Sequence, residues 1–437
     1  MSVSSHGHSE GGGRPPRPTV QRGTSKTQGV DDSLLPPFVH QLDTKMKDYE
    51  REGDIEFPLR GNWSSRTDAL LAIAGFTFGL GNLWRFPFLV YSYGGSAFFV
   101  PFCICLCMGA LPVFLLEITL GQFSSLAAIS VWKAVPLFKG IGIAAVFLSS
   151  VLSLYLSVVS SWSIYYLVNS IGLKLPWSQC ENSWSSYNCT STVRSQCQEL
   201  NGTMLLNGSC VIVDTQRIVD KQTGGLRSLE YFHKSVLMMS GSIGEVEHLN
   251  WYLGICVLFA WILVFLCLFQ SVKSSGKVVY VLVVLPYIIL IALIVRLVSL
   301  DGSLEALIHF MKPDWSVLKN PRVWGEAAIQ AFYSLSCCTG GLVTLASYNR
   351  FHSNLFREVW LIPLMDVICS LAACALTFSA VGCINRQLGG NVADFQLKDG
   401  AHLLFVFLSE ALSAVPAAPL YAALFFLMLV LIILSTQ

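Results

Sequence analysis

Three places in the sequence set polar or ionisable groups among apolar residues. The first is LLAIAGFTFGLGNLWRFP (residues 70–87), an apolar run in which Gly75, Gly79 and Gly81 are followed by Asn82 and Arg85. The second is Ser336-Cys337-Cys338-Thr339-Gly340-Gly341, in the middle of another apolar stretch. The third is the pair of isolated acids Glu117 and Asp366. A bilayer gives backbone N–H and C=O groups no water, so a lipid-facing helix keeps its hydrogen bonds intact. Two interruptions of this kind are expected where freed carbonyls hold cations and half-helix ends present their dipoles. Small residues also serve close helix packing, and the first stretch alone leaves both readings open. The second interruption, five spans later, favours binding at the bilayer midplane. Ionisable groups at that depth are costly, and their presence points the same way. Enzyme chemistry has no comparable support: no HExxH, nucleophile elbow or phosphate loop is suitably placed.

The elements that must carry these groups are apolar runs at 69–91, 97–121, 141–171, 250–270, 278–298, 324–348, 359–383 and 418–435. Each approaches or exceeds the roughly 20 residues a membrane-spanning helix needs. Eight spans are therefore predicted. Leu403–Leu412 is too short to cross and reads as a re-entrant or surface helix within the outer segment 384–416. In the third span Ser149, Ser153, Ser157 and Ser161 recur every four residues, a stripe of small side chains that reads first as a packing face.

With 53% hydrophobic and 13% charged residues the chain falls among polytopic membrane proteins, and a net charge of +1 argues against nucleic-acid binding. Residues 1–60 are rich in Gly, Ser, Pro and charge, and are expected to form a disordered tail. Their lysines and arginines place it in the cytoplasm. Lys133 and Lys139, Lys273 and Lys277, and Arg350 and Arg357 then fall on the same inner side. The polar loop 172–248 falls outside. It holds Cys180, Cys189, Cys197 and Cys210 with the sequons at Asn188, Asn201 and Asn207, a combination suited to an oxidising, glycosylating compartment. The other ten cysteines lie in or beside apolar runs and read as packing residues.

The motifs GLGNLWRFPF (79–88), YGGSAFFVPF (93–102), LPVFLLEITLGQF (111–123), SVKSSGKVVY (271–280) and SYNRFHSN (347–354) resemble the sodium- and chloride-dependent neurotransmitter and amino-acid transporters, the neurotransmitter:sodium symporters. The likeness runs from about residue 57 to the end and leans toward the glycine, proline and neutral amino-acid branch. It implies an all-α membrane protein of the inverted-repeat, 5+5 type, with helices 1 and 6 broken, residing in the plasma membrane as a homo- or hetero-oligomer. It also implies a first sodium held by the Thr77 carbonyl, Asn82, Ser334 and Asp366. A second sodium would use the Gly75, Phe78 and Ile432 carbonyls with the Ser435 and Thr436 hydroxyls. A substrate carboxylate would meet the amides of Leu80 and Gly81, and Tyr333 and Ser336 would shape the pocket. Gly79 stands where amine carriers have Asp, which favours a zwitterion such as a small neutral amino acid. Chloride would draw on Gln330, Ser334 and Ser370. Arg85 resembles the outer gate, Glu117 an inner support for the breaks, and Cys180–Cys189 the loop disulfide.

Three departures stand out. Leu156 occupies the position of a Tyr that hydrogen-bonds the substrate carboxylate, a bond to a charged group of ~1.5–3 kcal/mol. Phe102 replaces a chloride-site Tyr. Asp366 replaces an Asn, and its charge is expected to stand in for chloride, which puts chloride dependence in doubt. Family members extend four helices past residue 437, so a C-terminally truncated form is expected, its second repeat incomplete and Arg85 without its usual acidic partner. Sodium-coupled symport of small neutral amino acids is the leading expectation, and a non-transporting regulator or decoy of full-length relatives is the alternative.

Overall fold

The computed structural model describes residues 61–180, 226–240, 251–269, 272–387 and 400–437, with isolated positions between 182 and 250. The expected N-terminal tail, Cys189 and Cys197, and Asn188, Asn201 and Asn207 lie outside the described residues. Helix α1 spans Arg66–Thr77 and α2 spans Gly81–Ser92. α3 is Gly95–Ser124, α4 Lys139–Ser170, α5 Trp251–Leu268 and α6 Val272–Val298. They are followed by α7 (Ser303–Met311), α8 (Pro321–Ser334), α9 (Gly341–Ala346), α10 (Phe356–Gln387), α11 (Gly400–Ser413) and α12 (Ala418–Thr436). Three two-residue strands in the long loop are the only strand among the described residues.

Among the described residues six helices are long and apolar enough to cross a membrane, and a seventh span results if α1 and α2, bent by 48° at their break, are taken together. The sixth expected span is not one helix. α8 has 14 residues and α9 has 6, and residues 335–340 between them are non-helical. The short eleventh helix sits where residues 403–412 predict it, and it is buried along Leu403–Leu408.

Local sequence explains where the breaks fall. A capping box starts α1: Ser65 accepts from the Asp68 amide and Asp68 from the Ser65 amide, satisfying two otherwise orphaned donors. The helix ends at Phe78, whose ψ of 74° leaves the α region, immediately before Gly79. At the second break Ser336, Cys338 and Gly340 all take positive φ, at 53°, 65° and 77°. Two of these are not glycine, a backbone cost of order 1–3 kcal/mol each that surrounding packing must offset. Between α2 and α3 the chain turns at Gly94 and Gly95; a Cβ on Gly95 would meet the Phe310 and Lys312 carbonyls at 2.5 Å.

α10 is the innermost long helix, with 72% of its apolar window buried, whereas α5 is peripheral at 6%. α10 touches α2, α6, α7 and α11, while α12 lies against α1, α4 and α6. This arrangement sets both breaks beside α10 and the end of α12. Trp63 pins the segment before α1 to α9 and the turn after it, its indole N–H donating to the Leu345 carbonyl (3.2 Å) and its amide to the Tyr348 carbonyl (3.1 Å).

Candidate functional site

The two breaks face each other across a cavity of about 550 Å3. Thr77, Gly79, Leu80, Gly81, Asn82, Tyr333, Ser334, Ser336 and Thr436 all line it. The breaks are tied together directly: the Ser336 hydroxyl donates to the Phe76 carbonyl at 3.1 Å. Glu117, from the last third of α3, accepts the Cys338 amide at 2.8 Å. A carboxylate thus satisfies a peptide N–H that the interrupted helix has released, and such a charge-assisted bond is about twice as strong as a neutral one.

The expected first-sodium residues converge. Asn82 Nδ2 donates to Asp366 Oδ1 at 2.6 Å, and Asp366 is fully buried. Asn82 Oδ1 and Asp366 Oδ2 are buried acceptors with no hydrogen-bond partner among the described residues. Two unpaired oxygens of this kind are what a hard cation takes as ligands, and buried polar atoms of native proteins are otherwise nearly always bonded. The Ser334 hydroxyl points back to the Ala331 carbonyl at 3.2 Å.

The second-sodium residues also meet. A Cβ built on Gly75 would lie 3.5 Å from Ser435 Cβ, and one on Gly79 would lie 2.9 Å from Thr436 Cγ2. Here, however, the Ser435 hydroxyl donates to the Ile432 carbonyl at 2.8 Å, and the Thr436 hydroxyl lies 2.9 Å from the Ile433 carbonyl and 3.2 Å from that of Ile432. Phe78 sets its ring edge-on to Tyr287, centroids 5.8 Å apart.

Gly81 is held against the pocket wall, since a Cβ there would fall 2.2 Å from Tyr333 Cε1. Leu156 lines the same cavity, whereas Tyr155 packs against Trp84 at 6.1 Å. The Tyr155 hydroxyl therefore does not make up for Leu156. Phe102 is fully buried against Phe86, 4.9 Å between centroids. Gln330 Nε2 and Ser370 Oγ are buried without a partner among the described residues.

Two expectations change. The serine stripe divides: Ser149 and Ser153 line the cavity, with Ser149 donating to the Thr339 carbonyl at 2.6 Å, while Ser157 and Ser161 are buried. The packing reading holds for the outer half only, because the six residues between α8 and α9 leave space opposite the inner half. Arg85, expected to lack its usual acidic partner, pairs with a different acid. It bridges Glu326 at 3.0 Å and donates to Gln330 Oε1 at 2.7 Å. Glu326 was not singled out from sequence, although it lies four residues before Gln330 on one helical face. Phe332 and Ile329 of the cavity wall were likewise missed, being indistinguishable in sequence from other apolar residues of the span. Cys180 is disulfide-bonded.

The all-α fold, with two opposed interruptions facing one cavity, is that of a family of membrane transporters. The chain belongs to the sodium:neurotransmitter symporter family, whose profile matches residues 60–437. It is 52% identical, over its whole length, to a sodium-dependent acetylcholine transporter of Caenorhabditis elegans. It is 39% identical, over 86% of its length, to the human sodium- and chloride-dependent neutral and basic amino acid transporter B(0+). It is 38% identical, over 86% of its length, to a sodium- and chloride-dependent glycine transporter of Xenopus laevis. The alignments cover 62%, 61% and 59% of those proteins, so the chain spans about three fifths of their length. The family is one of transporters, not enzymes.

Proposed function

We propose that this protein couples sodium entry to uptake of a small solute bearing an ammonium group. The observation that carries the reading is the convergence of Asn82, Asp366 and the two helix breaks on one cavity. A sodium ion bridging Asn82 Oδ1 and Asp366 Oδ2 lies beside the solute, so each raises the affinity of the other for the closed form. That differential affinity lets an ion gradient bias alternating access. Sodium is cargo here. Residues Thr77, Asn82, Ser334 and Asp366 serve the first ion, and Gly75, Phe78, Ile432, Ser435 and Thr436 the second.

Two solute classes fit different features. A zwitterionic neutral amino acid fits the side-chain-free Gly79 and the amides of Leu80 and Gly81 at the start of α2. A quaternary ammonium compound without a carboxylate fits Leu156 and the rings of Phe76, Phe332 and Tyr333, which attract cations by their faces. The identity to a protein named as an acetylcholine transporter supports the second class. Uptake of labelled proline, glycine and leucine against choline and acetylcholine, with sodium or lithium outside, separates them. No sodium-stimulated uptake of any of these sinks the transport reading and leaves the regulator of full-length relatives. Placement in the plasma membrane with a cytoplasmic N-terminus belongs to the same proposal, as do assembly into oligomers, the Cys180–Cys189 pairing and glycosylation at Asn188, Asn201 and Asn207.

Asp366 supplies, in this reading, the negative charge that chloride brings to relatives named as chloride-dependent. Uptake persisting with gluconate in place of chloride is expected, and full chloride dependence would falsify the assignment.

A further inference from the structure

One face of α6 lies along the end of α1. Val283 and Tyr287, a helical turn apart and so neighbours on that face, meet Gly75 and Phe78 in turn. A Cβ built on Gly75 would fall 2.6 Å from Val283 Cγ2, so the approach depends on glycine. The Tyr287 ring stands edge-on to that of Phe78, the planes crossing at 89°. In the other direction the Tyr287 hydroxyl meets the Cys369 thiol of α10. Cys369 is buried and follows Asp366 by three residues, which sets the two on neighbouring turns of one helical face.

Tyr287 therefore stands between the residues assigned to the two sodium ions. Gly75 and Phe78 offer carbonyls to the second, and Asp366 offers a carboxylate to the first. We propose that Tyr287 is a positioning residue that makes the two sodium sites fill cooperatively. The assignment rests on the sodium-coupled reading above.

The physical basis is the state of the Phe78 backbone. Its ψ of 74° lies outside the α region, so the helix does not fix the direction of its carbonyl. Packing of its ring against Tyr287 takes over that task. α6 can serve as the fixed reference because Val283 and Leu290, on either side of Tyr287, are only 4% and 2% exposed. The chain itself is a looser link between the sites, since from Phe78 to Asn82 it passes through Gly79, outside both helices.

An ion at the second site draws the Phe78 carbonyl toward itself and presses the ring on Tyr287. The phenol passes the shift to Cys369, and so to the turn of α10 that holds Asp366. Linkage makes the effect reciprocal: sodium at the first site raises affinity at the second by the same factor.

The test is direct binding of radiolabelled sodium to the full chain in nanodiscs, followed to saturation. The parent is expected to bind cooperatively. Y287F keeps the ring and drops the hydroxyl, and it should bind the same total of sodium with a Hill coefficient reduced to unity. C369A should match it, and C369S, which keeps a hydrogen-bonding partner, should restore the parent curve. Y287F combined with C369A should be no worse than either alone, as expected of two residues that act through one contact. Y287L also loses the contact with Phe78 and should raise half-saturating sodium about two- to tenfold, the range an edge-on aromatic pair spans. I288A, at a position 59% exposed, should leave the curve unchanged. Should Y287F fail to fold, C369A against C369S carries the same comparison. A parent chain that binds no sodium removes the coupled-transport reading and this assignment together. A parent that binds without cooperativity, or cooperativity that persists in Y287F and C369A, overturns the assignment alone.

Discussion

Single atoms decide the binding site. Gly81 has no room for a methyl group beside Tyr333. Overpacking of this kind costs ~1–3 kcal/mol, and 1.4 kcal/mol is a tenfold change in affinity. Gly81→Ala should therefore lower apparent solute affinity by about five- to a hundredfold, measured as displacement of bound labelled solute in detergent. Unchanged affinity would mean that Tyr333 does not touch the solute. Asp366 has the sharper signature. Asp366→Asn removes a buried charge and keeps its shape and its contact with Asn82. Uptake by this variant should gain a requirement for chloride, seen by exchanging chloride for gluconate at constant sodium; indifference to chloride in both forms would remove Asp366 from ion coupling.

At the scale of elements, the two interrupted helices persist because side chains take over what the backbone gives up. Glu117 replaces a lost helical acceptor for the Cys338 amide, and Ser149 and Ser336 donate to the Thr339 and Phe76 carbonyls. Glu117→Ala leaves a released N–H without its partner, and an unsatisfied buried donor costs ~1–3 kcal/mol. A lower thermal midpoint in nanodiscs is expected, with Glu117→Gln, which keeps an acceptor oxygen, lying between. Equal stability of all three forms would show that the second break does not lean on α3.

Across the whole molecule, the openings at either end are governed by different physics. On the side of Arg85 a charged pair, about a quarter exposed on each side chain, joins α2 to α8. Pairs so exposed contribute roughly 0–1 kcal/mol, so the closure there is shallow and salt-sensitive. At the other end Trp63 is 4% exposed, sits edge-on to Tyr348 at 6.2 Å and bonds Leu345. Removing a buried aromatic costs ~3–5 kcal/mol. Trp63→Ala should hence speed modification of Cys267, which lines a cavity with Trp63, by a charged thiol reagent. Arg85→Lys should change that rate little. Equal rates in Trp63→Ala and the parent would argue that the indole is not a latch.

Sequence alone located both interruptions, because Gly79 and the Ser336–Gly341 run are poor helix formers inside otherwise continuous apolar spans, a purely local property. It also singled out Asp366, since a carboxylate amid apolar residues is conspicuous without coordinates. What it could not supply was partnership. The bond between Arg85 and Glu326, the division of the serine stripe and the meeting of Tyr287 with Phe78 depend on which helices become neighbours. Those adjacencies are set by packing around α10 and α12 over separations of 190 residues and more. No local preference in the chain encodes them, so tertiary structure alone decided them.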